Sequence, residues 1–67
     1  MKILLNNKEE QFDTGTLTVT RMLEIKKFTY RMRIVKINGN LIPRERYDDA
    51  LIKDGDNVQM IYLMSGG

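Results

Sequence analysis

The sequence contains no cysteine, no histidine and no tryptophan, has one proline, and carries three tyrosines and two phenylalanines as its only aromatic residues. Without cysteine and histidine there are no disulfides, no thiolate nucleophile, none of the usual zinc ligands and not the commonest general base. The chain is therefore expected not to be an enzyme, and to hold no metal and no cofactor of its own. A cysteine-free composition fits a reducing compartment, and the cytoplasm is expected. No apolar run approaches the roughly 20 residues of a membrane span. The opening Met1–Leu5 is too short for a signal peptide, so no membrane partner is expected.

Strong charge of one sign is also missing. Eleven basic and nine acidic residues leave a formal charge of +2, spread along the chain. Nucleic-acid binding would favour a concentrated basic stripe with interleaved aromatics. Lys26, Lys27, Phe28, Tyr30, Arg31 and Arg33 come nearest, but a solvated helix end running into a strand produces the same cluster, and no nucleic-acid partner is expected.

At 67 residues the chain makes one domain. A domain this small buries only about 60% of the surface its unfolded form exposes. Few residues remain to support a preorganised catalytic pocket. Composition thus favours a binding or carrier module.

The hydrophobic pattern predicts the elements. Ile3–Leu5 reads as a first strand, Asn6-Asn7-Lys8 as a turn, and Glu9–Asp13 as a polar second strand anchored by Phe12. After Gly15, Thr18 can cap a helix over Thr18–Lys27 whose apolar positions Val19, Met22 and Leu23 follow helical spacing. Lys26 is expected to lay its stem over the core and keep its ammonium in water. A strand over Ile34–Asn38 should point Val35 and Ile37 inward. Asn38-Gly39 then makes a tight turn into Leu41-Ile42, which Pro43 confines to a sheet edge. Arg44–Ile52 suits a short helical turn anchored by Tyr47 and Leu51, and Asp54-Gly55-Asp56 turns sharply. The last strand, Val58–Met64, is apolar on both parities, which suits a central strand covered by the helix on one face. The layout is α+β, of the β-grasp type.

The chain ends on Ser65-Gly66-Gly67. Glycine has no Cβ, so such an end can pass through a narrow channel and present its carboxylate to a bulky electrophile from almost any side.

Ile37-Asn38-Gly39, then Leu41-Ile42-Pro43-Arg44, Tyr47, Leu51, Lys53-Asp54-Gly55-Asp56, Val58 and the terminal Gly66-Gly67 together resemble the sulfur-carrier family of thiamine biosynthesis. Each piece alone is common, and their joint order is specific. The resemblance implies a ubiquitin-like β-grasp fold: a mixed four- to five-stranded sheet with one main helix on one face. Residues 1–64 would form the domain and 65–67 a flexible tail. It implies that an adenylating enzyme uses ATP and magnesium to activate the Gly67 carboxylate. A sulfur donor such as a cysteine desulfurase then provides the sulfur of a thiocarboxylate, which goes to a thiazole synthase. Gly66 and Ser65 would carry the tail through the partner's channel. Ile61, Leu63, Met64 and Arg44 would form the docking patch, and the free chain would be a monomer. For Arg44, Asp54 and Asp56, turn hydrogen bonding and surface ion pairing are the plainer explanations.

Thr20, Arg21, Ile25 and Tyr30-Arg31-Met32-Arg33 depart from the family's usual helix and following strand, which bears on partner recognition. Three other readings stay open: a carrier for molybdenum-cofactor synthesis, which Ile42-Pro43-Arg44 and the short length disfavour; a ubiquitin-like protein modifier; and an interaction module binding RNA through residues 26–33.

Overall fold

The computed structural model describes residues 1–28 and 33–62. Two strands, β1 (Lys2–Leu5) and β2 (Lys8–Gln11), form the opening hairpin. Asn6 and Asn7 join them with φ of 52° and 68°, the positive values that a two-residue hairpin turn needs and asparagine tolerates. A short β3 (Thr16–Thr18) leads into α1 (Val19–Ile25), then β4 (Arg33–Ile37), β5 (Asn40–Ile42), a 3₁₀ turn (Arg44–Arg46), β6 (Leu51–Lys53) and β7 (Asn57–Tyr62). Among the described residues the main sheet runs β2-β1-β7-β4-β5, and β3 and β6 make a separate two-stranded ribbon. The central β7 pairs parallel with β1 and antiparallel with β4, so the sheet is mixed.

The expected cap of α1 is present: the Thr18 hydroxyl accepts from the Arg21 N–H at 3.1 Å. The helix is shorter than the predicted Thr18–Lys27 because a Schellman motif closes it. Phe28 N–H donates to the Leu23 carbonyl at 2.9 Å and Lys27 N–H to that of Glu24 at 3.1 Å. Lys27 adopts the left-handed φ of 58° that usually falls to glycine in this motif. The Lys26 ammonium is not left in water. It sits 2.9 Å from Glu10 Oε1, and the half-buried pair ties the helix end to β2.

One face of the sheet carries the core. Ile3 and Leu5 of β1, Val35 and Ile37 of β4, and Val58 and Met60 of β7 are buried beneath Val19, Met22 and Leu23 of α1. Val35 and Ile37 point inward as their alternation predicts. Leu17, Ile52, Tyr47 and Phe12 close the margins of this cluster.

Further expectations are corrected. The stretch 44–52 is not one helical turn, since its last part enters β6, which pairs with β3 as Leu17 faces Ile52. The strand's two-residue period then buries Ile52 completely and leaves Leu51 about half exposed, so Ile52 and not Leu51 is the anchor. The three-residue β3 lies where the sequence suggests only a break.

Truncating these neighbours should separate them clearly. Ile52→Ala empties a fully buried site and should cost about 2–5 kcal/mol, whereas Leu51→Ala should change stability by about 0.5 kcal/mol or less. Denaturant unfolding of the two variants measures the difference, and equal losses would contradict the assigned register.

Candidate functional site

The site is built around β7 because that strand leads to the chain's end. Its even-numbered residues Val58 and Met60 face the core, opposite Ile37 and Val35 of β4. Period-two alternation turns Gln59 and Ile61 to the opposite face, opposite Lys36 and Ile34. Leu41 of β5 lies beside Lys36 on this outer face, and Leu4 of β1 lies beside Asn57. Leu41 is 60% exposed, Ile61 43% and Leu4 41%. Together with half-buried Ile34 they give the outer face apolar side chains that no element among the described residues covers. Singly exposed apolar residues are ordinary, whereas a grouped set on one sheet face marks an interaction surface.

Of the docking residues expected from sequence, Ile61 stands on this face. Arg44 begins the 3₁₀ turn just past β5, and its carbonyl accepts from Tyr47 N–H at 3.1 Å. Leu63, Met64, Ser65, Gly66 and Gly67 lie outside the described residues. Sequence reasoning missed Ile34, Leu41, Leu4 and Lys36. The available signal was the parity of Ile34, an apolar residue out of phase with inward Val35 and Ile37.

The polar turn residues have a structural explanation. Asp56 accepts from Lys53 N–H at 2.8 Å through one carboxylate oxygen and from the Asn38 side-chain amide at 3.0 Å through the other. The Asn38 side-chain oxygen accepts from Asn57 N–H at 2.9 Å, and Asn38 N–H donates to the Asn57 carbonyl at 2.7 Å. Asn38-Gly39 turns β4 into β5 with φ of 52° and 83°. Asp54 accepts from Lys2 N–H at 2.7 Å, and Gly55 N–H donates to the Lys2 carbonyl at 2.8 Å. On the other side Asn6 accepts from Met60 N–H at 2.8 Å while its own N–H donates to Val58 O at 2.9 Å. These bonds clamp the start of β7 to both neighbouring strands.

Lys26 pairs with Glu10, and the Arg33 guanidinium lies 5.6 Å from the centroid of the Tyr47 ring; Tyr30 and Arg31 lie outside the described residues. An open cleft of about 440 Å³ beside them is lined by Thr20, Leu23, Glu24, Lys27, Phe28 and Arg33. Among the described residues no three Asp, Glu, His or Cys side chains group so as to hold a metal ion, and no helix is long and apolar enough to cross a membrane.

A five-stranded mixed sheet in the order 2-1-7-4-5, crossed by one helix and carrying its last strand at the centre, is a ubiquitin-like β-grasp domain. The ThiS family model matches residues 2–67, and the chain belongs to that family. It is 30% identical over 67 residues to a sulfur carrier protein ThiS of Escherichia coli strain K12, with both chains covered completely. The crystal structure of a thiamine biosynthesis protein (ThiS) from Geobacter metallireducens superposes with a TM-score of 0.90 at 35% identity, again over the whole of both chains. A thiazole synthase of Paramagnetospirillum magneticum is 27% identical over 67 residues, and the chain spans about a fifth (20%) of that protein's length.

Asp56→Ala removes a carboxylate that accepts two hydrogen bonds and should lower stability by about 1–3 kcal/mol. Asp49→Ala breaks only an exposed pair with Arg46 and should cost well under about 1 kcal/mol. Thermal unfolding of both variants tests this, and similar midpoints would refute the clamp.

Proposed function

We propose that this chain is a sulfur carrier of thiamine biosynthesis, a cosubstrate acting in the cytoplasm and not itself an enzyme. The match of the ThiS family model to residues 2–67 carries this reading. The carrier relative in E. coli supports it across the full length of the chain.

A carboxylate resists nucleophiles because it is negatively charged and its oxide is a poor leaving group. In the proposed cycle an adenylating enzyme with ATP and magnesium converts the Gly67 carboxylate to an acyl-adenylate and releases pyrophosphate. The outer sulfur of a persulfide, held by a donor such as a cysteine desulfurase, then attacks the acyl carbon and AMP leaves; a thiol reductant cleaves the resulting acyl disulfide, and a terminal thiocarboxylate remains. Gly66 and Ser65 carry this end into each partner's channel, where a missing Cβ at position 66 removes the main steric obstacle. The thiocarboxylate then serves a thiazole synthase. A stretch resembling this whole chain within a protein named as a thiazole synthase supports pairing the two activities.

In this reading the partners dock on the outer sheet face. Ile61, Ile34, Leu41 and Leu4 supply its apolar centre and Lys36 a positive charge, which suits an apolar partner patch beside an acidic group. Leu63, Met64 and Arg44 extend the proposed contact. The partners bring the nucleophiles and bases that the chain lacks.

Incubation with a thiamine-pathway adenylating enzyme, ATP, magnesium and sulfide should give an intact protein heavier by the difference between a sulfur and an oxygen atom. Deletion of Gly67 should abolish that gain. Absence of any thiocarboxylate would refute the carrier reading, and conjugates on lysines of other proteins would favour the modifier reading. Ile61→Asp, which puts a charge on the docking face, should raise the KM for the carrier about tenfold, corresponding to about 1.4 kcal/mol. An unchanged KM would remove Ile61 from the interface.

A further inference from the structure

Tyr62, the last described residue of β7, touches the helix end. The rings of Phe28 and Tyr62 meet edge to face, with centroids 6.2 Å apart and planes at 86°. Both ends of this contact are held by backbone. Phe28 is fixed by its N–H bond to the Leu23 carbonyl at 2.9 Å, at the close of the Schellman motif. Tyr62 lies opposite Arg33 at the end of the β4–β7 ladder, with the parity of inward-facing Val58 and Met60. The pair nevertheless lies outside the sealed core: Phe28 is half-buried and Tyr62 is 37% exposed. Gly67 is five residues further along the chain, a reach of at most about 18 Å. The placement of Tyr62 therefore bounds where that carboxylate can arrive.

On the carrier reading above, we propose that Phe28 and Tyr62 are positioning residues. Their edge-to-face contact ties the root of the tail to the C-terminal turn of α1 and aims it relative to the outer sheet face on which partners dock. In this role neither ring takes part in the bond changes at Gly67. Docking and aiming are then separable: the outer face sets how tightly a partner binds, and the ring contact on the inner side sets how often the bound carrier presents Gly67 to the adenylating site. Misplacement by about 1 Å can cost a reaction as much as a hundredfold, so a loosened root should be visible in the turnover number.

The test uses the full chain with the adenylating enzyme, ATP and magnesium, following pyrophosphate release as carrier concentration varies. Phe28→Leu and Tyr62→Leu should each lower kcat about tenfold while KM stays within about twofold. Tyr62→Phe keeps the ring and should retain wild-type kcat. Leu17→Ala, which thins the core at β3 away from β7, is the stability control: its thermal midpoint should fall at least as far as that of Phe28→Leu with kcat unchanged. Unchanged kcat in both leucine variants, or equal losses in Leu17→Ala, would overturn the positioning role and leave the carrier reading intact. Failure of the wild-type chain to react would overturn both.

Discussion

A helix of seven residues has to cover a sheet of five strands, and that disproportion governs the molecule. Packed over the sheet, α1 supplies only Val19, Met22 and Leu23 to the core, so the margins must be closed by Leu17, Ile52, Tyr47 and Phe12 from the ribbon, the 3₁₀ turn and the loop after β2. These pieces suffice for one face. Among the described residues no element covers the other face, yet it carries Ile61, Leu41, Leu4 and Ile34. The core does not explain apolar groups there, because none of them is among its buried members. A surface contact explains them better, and the proposed docking of partner enzymes supplies one.

The same economy gives meaning to the residues that resemble the carrier family. Asn38, Asp54, Gly55 and Asp56 look from sequence like ordinary turn formers, and they are turn formers. Their hydrogen bonds, however, run between segments far apart in the chain: Asn38 to Asp56 and Asn57, Asp54 and Gly55 to Lys2. A small core leaves little margin for loops that do not help to hold the sheet. In this chain the loops at one end of the sheet join β4, β6 and β1 to the strand that carries the tail.

Much of this was legible in the sequence. The opening hairpin, the Thr18 cap, inward Val35 and Ile37, the edge position that Pro43 imposes and the central place of the last strand all follow from local chemistry that the fold respects. Most of the missed features share one cause, which is pairing over long sequence distance. Three-residue strands such as β3 and β6 are too short to show a period, and only their mutual pairing defines them. Leu51 and Ile52 are chemically alike, so nothing local could say which is buried. In β7 apolar residues occupy both parities, and the choice of inward face was settled by Ile37 and Val35 across the ladder. The helix end was overestimated because lysine rarely takes the left-handed conformation that closes a Schellman motif.

Register ties the scaffold to the proposed function. Along β7, Val58 and Met60 belong to the core while Gln59 and Ile61 belong to the outer face, and only the two-residue period separates these roles. A slip of one residue would bury Gln59 and turn Met60 outward, exchanging core and proposed docking surface in one move. Apolar side chains alone resist such a slip weakly here, because Ile61 could fill a core position nearly as well as Met60. The polar bonds resist it strongly. Asn38 engages both backbone groups of Asn57, and Asn6 engages Val58 and Met60, so any shift would break bonds on both sides of the strand at once. Under the proposed docking, the turn chemistry thus decides which face of β7 a partner meets and where Tyr62 stands with respect to it.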